Sequence, residues 1–410
     1  MTAENGGTPQ TDMNPYRSCR MEDAKAKNRY HYLNLIFQTI GVFIWMVPRL
    51  LLVIIGQVFP SPIIWLLTID LKFDRKHFSI LQQKPRIGKF RRNVIWFITT
   101  CFYRISFAGF GVFWIKENGK KHVDADNAKI VVIAPHSTIA DMVVLGKSWV
   151  PMTTVALWSE LVRPISGVNL RSSESYFVDY RDSNSRSLAA ETIEHRAKSD
   201  FWKDVRQIFY VEGGLSNGAN MVNFKNGAFL PGQPVQPVVL EFPDWIDYLT
   251  CNVTRKNRTQ RGNGYYAFAM DTTFLKNMFY MLTVPFTPCV INYLPVYYPN
   301  NEEKSDASLF ASNVRQLMSE HSRVGTVEAG RLDSKIVDHV YKNWKELPID
   351  VTDKLMGAGD LRTELGDEFA EMMNSDRVIE ILDEFLGEKN NAETFKEYLR
   401  IRLVERVSSE

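Results

Sequence analysis

Cysteine is scarce in this 410-residue chain, and its four copies, Cys19, Cys101, Cys251 and Cys289, stand far apart without a C-x-x-C pair or a histidine at finger spacing. That pattern excludes a zinc finger and a disulfide framework, and it fits free thiols in a reducing compartment. Net charge is equally scarce. Lys and Arg number 49 against 47 Asp and Glu, a formal +2, which argues against a protein that binds nucleic acid through a basic surface. The chain also lacks the G-x-S-x-G elbow of serine hydrolases, a D-x-[DN]-x-[DN]-G calcium loop in its C-terminal part, and any internal repeat. With 45% hydrophobic and 23% charged residues it is an ordinary globular sequence, neither disordered nor fibrous. At roughly 150 residues per domain its length allows two or three domains and a sizeable core.

Charge is missing altogether from two long stretches, 31–48 (HYLNLIFQTIGVFIWMVP) and 50–69 (LLLVIIGQVFPSPIIWLLTI), which only Arg49 separates. Each is about the 17–25 residues that an apolar helix needs to cross a bilayer. Pro48 and Arg49 predict a break between two helices, and Pro60 and Pro62 a bend in the second. A pair of spans and a hairpin re-entering one leaflet both fit; a buried helix pair of a soluble protein is the bland alternative. The polar residues 1–30 predict a mobile tail; a cleaved signal peptide would carry its apolar stretch nearer the start. A third run, 93–115, is rich in aromatics but has Arg104 at its centre, which predicts an interfacial helix rather than a span.

The small total charge conceals two blocks. Residues 72–92 hold eight basic residues (Lys72, Arg75, Lys76, Lys84, Arg86, Lys89, Arg91, Arg92) and one acid, a net +7, whereas residues 350–410 hold 8 basic and 16 acidic residues, a net −8. A cationic collar just after an apolar hairpin suits an anionic leaflet. The positive-inside tendency then puts the N-terminus and residues 72–92 in the cytosol. Two N-x-T sequons, at Asn252 and Asn257, matter only if their loop faces a lumen.

From about residue 116 the texture is α/β. Apolar segments at 129–134, 175–180, 207–211, 234–242 and 289–298 predict strands, and 185–200 and 305–321 predict helices between them. The alternation points to a mostly parallel sheet flanked by helices, with an N-terminal membrane-embedded helical hairpin and an acidic helical C-terminal segment. The expected division is a tail at 1–30, membrane-anchoring helices at 31–115, a catalytic α/β domain at 116–345 and the acidic segment at 346–410.

Three places carry candidate chemistry. After the strand KIVVIA, His136 precedes Asp141 by five residues, about 140° apart on an ideal helix. If His136 sits at the strand exit and Ser137 or Thr138 caps the next helix, Asp141 falls in the first turn. There it can face back and hold one imidazole nitrogen, leaving the other as a general base. From spacing alone, a loop histidine beside a first-turn acid is the better fit, since H-x-x-x-x-D by itself is a weak signal. After QIFYV, the segment Glu212-Gly213-Gly214-Leu215-Ser216-Asn217-Gly218 permits close backbone approach to a phosphate, or is merely a turn. Lys225 lies just downstream, and Arg181, ending SYFVDYR, is a candidate phosphate ligand or a surface ion-pair partner of Asp179 and Asp182.

Taken together and in this order, the blocks resemble the glycerolipid acyltransferase superfamily. His136 and Asp141 match its H-x-x-x-x-D block, SYFVDYR its second block, VEGGLSNG and FKNGAF its third, and PVQPVVL around Pro237 its proline block. Residues 294–319 look like the lysophosphatidylcholine acyltransferase branch. The sequence departs from the family at Gly214, where threonine is usual, and in lacking the C-terminal calcium-binding pair of some branch members. The resemblance implies acyl transfer from acyl-CoA to a lysophospholipid hydroxyl at the endoplasmic reticulum membrane, with membrane lipids as partners. His136 would be the base and Asp141 its orienter, with the acceptor bound by Arg181, Glu212, Gly213, Gly214, Lys225 and Pro237. No cofactor is implied beyond acyl-CoA as co-substrate, and no metal. The same machinery serves lysophosphatidate or glycerol-3-phosphate acyltransferases, and a catalytically silent membrane-binding member is a further alternative.

Overall fold

The first apolar stretch folds as helix α1 (Tyr30–Ile44), which ends at Trp45; α2 (Met46–Val58) and α3 (Pro60–Leu67) follow, parted only by Phe59. The computed structural model describes residues 30–71, 78–122, 128–179, 182–243, 245, 274–322, 324–343, 375–387 and 395–399. The sequons at Asn252 and Asn257, together with Cys19 and Cys251, lie outside these residues. The helix break falls at Trp45, three residues before the expected Pro48, because Pro48 occupies the first turn of α2, where its missing N–H leaves no bond unmade. Arg49 lies inside α2. Its buried guanidinium donates to the carbonyls of Leu282 (3.4 Å), Val284 and Pro285, so its charge serves tertiary packing rather than a turn. Among the described residues, the 22 residues Met46–Leu67 are long and apolar enough to cross a membrane, whereas α1 has 15 residues.

Helix α4 (Lys89–Gly109) limits the interfacial reading of 93–115 to part of that run, where Phe97, Phe113 and Trp114 are exposed. Trp96, Tyr103 and Phe107 are buried in the main core. Arg104 donates from Nε to the Gly146 carbonyl (2.9 Å) and lies over the Trp149 ring. Aromatic side chains fill a protein interior as readily as a headgroup layer, and here Trp96, Tyr103 and Phe107 face the core while Phe90 and Phe97 stay exposed. Close packing of α2 on α4 depends on glycine: a Cβ at Gly56 would stand 2.6 Å from the Phe102 carbonyl oxygen and the Ser106 nitrogen. Gly56→Val is expected to destabilise the protein by about 1–3 kcal/mol through overpacking, read as a lower unfolding midpoint in detergent; an unchanged midpoint would show that the two helices separate freely.

The basic block is also less free than its sequence count. Of the five basic residues described between 78 and 92, Arg91 pairs with Asp70 (2.7 Å) and Lys89 with Asp204 (3.1 Å), while Arg92 is buried and donates to the Ile87 carbonyl. The neutralising acids come from outside the block, where a local count could not include them.

Among the described residues nine strands follow: β1 (Ile115–Gly119), β2 (Ile130–Ala134), β3 (Met152–Leu157), β4 (Tyr176–Val178), β5 (Arg206–Tyr210), β6 (Asn220–Met221), β7 (Val235–Glu241), β8 (Cys289–Tyr293) and β9 (Gly325–Thr326). Seven form one sheet in the order β1-β8-β7-β2-β5-β3-β4, parallel throughout except between β7 and β8. The expected strand at 289–298 stops at Tyr293, since Pro295 has no N–H for a ladder; Tyr297 adds a single bridge to Val235. β6 and β9 make a separate parallel pair.

All five residues of β2 are buried, as a central strand covered on both faces requires. Val131 and Ile133 join Phe107, Val143, Val144, Met281 and Leu282 on the face carrying α4, α5 (Val143–Lys147) and the helix Phe274–Thr283. Ile130, Val132 and Ala134 join Ile193, Ala197, Phe310 and Val314 on the other, under the helices Ser183–Lys198 and Ala307–Glu320. The apolar N-terminal helices thus lie on one side of the sheet. At the C-terminus, helices Arg331–Asn343 and Ser375–Gly387 share a small core of Ile336, Val340, Val378, Ile381 and Leu382 with Phe395.

Candidate active site

β2 carries no polar residue, so its first chemistry-bearing side chain, His136, emerges at the carboxyl edge of the sheet. In open α/β sheets ligands bind at that edge, where neighbouring strands send their connections opposite ways. β2 and its neighbour β5 do so: β2 continues to β3 on one side and β5 to β7 on the other.

Thr138 caps a short turn, Ile139–Met142, and Asp141 completes a capping box with it. This turns the Asp141 carboxylate back toward the strand exit, which an uninterrupted helix could not do. Asp141 Oδ2 lies 2.7 Å from His136 Nδ1 and accepts the amides of Ser137 (2.7 Å) and Thr138 (3.1 Å). The Asp141 side chain is wholly buried, and that of His136 is 25% exposed. With Nδ1–H donating to Asp141, a tautomer assigned from that contact, Nε2 keeps its lone pair.

The loop after β5 closes the other side. Glu212 Oε2 accepts the His136 amide (2.7 Å) and the Ser216 hydroxyl (3.4 Å), and Oε1 accepts the Val222 amide (3.1 Å). Burial pushes the Glu212 carboxyl up to about 8, against the opposing pull of its amide donors. With both oxygens engaged by the protein, Glu212 ties the histidine loop to the glycine-rich turn. The Ser216 amide donates in turn to the His136 carbonyl (2.8 Å).

Gly213 adopts φ +69°, a left-handed conformation that favours glycine, and a Cβ there would stand 3.0 Å from Lys225 Cγ. The Lys225 stem therefore packs over the turn, as the spacing suggested. At Gly214 a Cβ would meet nothing within 4 Å, so the departure from threonine is not imposed by lack of room. Arg181 lies outside the described residues. Pro237 is not at the site: it is buried within β7 opposite Val132, four residues before His136. At about 3.3 Å per residue this places it well below the carboxyl edge.

Two neighbours escaped the sequence reading. Met281 Sδ receives the Thr138 hydroxyl (3.6 Å), a contact between segments far apart in the chain. Tyr210, the last residue of β5, stacks on the His136 ring with centroids 4.4 Å apart; an aromatic at a strand end was its only local signal. Among the described residues, no three His, Cys, Asp or Glu side chains are grouped to hold a metal ion.

Residues 115–241, from β1 to the end of β7, match the family model described as Acyltransferase. The chain is 33% identical over 247 residues to a lysophosphatidylcholine acyltransferase of Drosophila melanogaster, covering 60% of this chain and 42% of that protein. It is 32% identical over 256 residues to lysophosphatidylcholine acyltransferase 2B of Mus musculus, covering 62% of this chain and 45% of that one. The match thus spans less than half the length of these relatives. Among solved structures, the 1-acyl-sn-glycerophosphate acyltransferase of Thermotoga maritima superposes with a TM-score of 0.39 and 17% identity, over 71% of this chain and 97% of that one.

Proposed function

From its membership of the glycerolipid acyltransferase superfamily, on the lysophosphatidylcholine acyltransferase-like branch, we propose that this chain transfers a fatty acyl group from acyl-CoA to the free hydroxyl of a lysophospholipid. The observation that carries the proposal is the 2.7 Å contact of His136 Nδ1 with the buried Asp141 carboxylate. His136 Nε2 removes the proton as the acceptor oxygen attacks the thioester carbonyl carbon. The carbon–sulfur bond then breaks, and the imidazolium returns the proton to the departing CoA sulfur. Asp141 orients the ring and stabilises its cation. The turn at Gly213 and Gly214, with Lys225 and Arg181, binds the acceptor phosphate. Glu212 holds the loop rather than the glycerol, since its oxygens are already engaged.

The reaction takes place at a membrane, where both lipid substrates are held. Supporting this, α1–α3 leave Leu35, Phe43, Leu51, Phe59 and Leu66 exposed, an apolar surface of a kind that soluble monomers rarely show. We place the enzyme at the endoplasmic reticulum membrane with residues 72–92 on the cytosolic side.

The test is an acceptor panel. Purified protein in phosphatidylcholine vesicles receives labelled acyl-CoA with lysophosphatidylcholine, lysophosphatidate or glycerol 3-phosphate. Transfer to lysophosphatidylcholine in preference to the others is expected. Preference for lysophosphatidate would overturn the acceptor assignment, and transfer to none would overturn the activity.

A further inference from the structure

Hydrogen bonding alone leaves the imidazole of His136 tied by one bond, from Nδ1 to Asp141, and free to swing out of its plane. Tyr210 closes that freedom. β5 pairs with β2 so that Tyr210 stands opposite Ile133, one strand position before the exit. Its ring lies over the imidazole at 4.4 Å between centroids and 26° between planes. Its hydroxyl donates to the Asp141 main-chain carbonyl at 3.2 Å. One side chain therefore touches both members of the pair, the ring on the base and the hydroxyl on the segment that carries its orienter.

We infer that Tyr210 is a positioning residue for the acyl-transfer step, which fixes the plane of His136 and stabilises the imidazolium with its ring face. The inference rests on the proposed role of His136 as base. A cation over an aromatic face is stabilised without a second formal charge. Tyr210 suits the task because burial, with Asp141 and Tyr103 nearby, holds its phenol well above its usual range, so it stays a neutral donor. The ionisable groups around this corner are Asp141 from the turn after β2, Glu212 and Lys225 from the segment after β5, Tyr103 from α4, and Cys289 from β8, which lies within electrostatic reach of Asp141.

The experiment compares Tyr210→Leu, Tyr210→Phe and His136→Ala in full-length protein, measuring kcat, KM and the pH dependence of kcat/KM. Tyr210→Leu is expected to lower kcat by about 10- to 100-fold, the penalty for a slightly misplaced base, with KM for both substrates little changed. It should also move the acid limb to lower pH by about half a unit, as loss of a cation–π contact predicts. Tyr210→Phe keeps the ring and should keep the acid limb, losing about fivefold in rate for one neutral hydrogen bond. If leucine does not fold, Tyr210→Met, which fills the space with a flexible side chain, gives the same comparison. An unmoved acid limb in the leucine or methionine variant, or a loss confined to KM, overturns the inference while an inactive His136→Ala leaves the base intact. Undiminished transfer by His136→Ala overturns both.

Discussion

His136→Ala is expected to lower the rate of acyl transfer by about 10²- to 10⁴-fold, the usual contribution of a positioned general base. The size follows from chemistry. A glycerol hydroxyl is a poor nucleophile until its proton leaves, and no other side chain in the described site offers an unengaged basic nitrogen at the strand exit. The loss should appear in kcat, since the imidazole is asked to act on the reacting hydroxyl and not to hold the phosphate. The fold should survive: Asp141 Oδ2 keeps the amides of Ser137 and Thr138, and the Glu212 contact to residue 136 is made by its main chain. Single-turnover transfer from labelled acyl-CoA, read beside an unfolding curve, is the measurement. A fall of less than about tenfold in a folded variant would remove His136 from the role of base.

Stability is expected to decline as pH rises from about 4.5 to about 8, and Glu212→Gln is expected to flatten much of that decline. The Glu212 carboxyl titrates near 8 in the folded protein against 4.5 for the free group. Between those values the native state holds a proton that the unfolded chain has released. The stability associated with that proton is fully present below pH 4.5 and is lost as pH climbs through 8. A displacement of this size corresponds to about 5 kcal/mol across the window. Glutamine cannot ionise, and its carbonyl can still accept one of the two amides that the carboxylate holds. Denaturant unfolding in detergent at a series of pH values gives the slope for each protein. A wild-type curve that rises across this range, or a Glu212→Gln curve with the wild-type slope, would exclude Glu212 as the source.

Much of the site was legible in the sequence because its geometry is local. The strand exit, the Thr138 cap and the first-turn Asp141 lie within six residues, so spacing and capping rules allow His136 and Asp141 to meet, and the order of the motif blocks favours that over a plain loop histidine. Gly213 and Lys225 lie on one short excursion from β5. Pro237 and Tyr210 were not legible in this way. Each depends on strand register across β2, which puts Pro237 inside the sheet and Tyr210 against the imidazole. The fold divides along the same physical line. β2, β5 and β7 are continuous apolar runs and declare themselves. β1 (IKENG) is an edge strand whose last four residues are exposed, so it carries no apolar pattern to detect. β3 hides behind Thr153 and Thr154. In α2 and α4 the sequence did reveal the helices, but Arg49 and the aromatics of α4 could equally face lipid, a turn or protein. Only the packing distinguishes these.

The order of the sheet bears on what can be exchanged between relatives. β1 opens the segment that matches the family model, yet its sheet neighbour is β8, which lies beyond the end of that segment. β6, in the loop that follows Glu212, pairs with β9, farther on still. A chimera spliced at residue 241 would therefore give β1 and the glycine-rich turn partners from a different parent. The unit of modular transplantation runs from β1 through β9, and the shortest segment recognisable in sequence is not the shortest that is structurally complete.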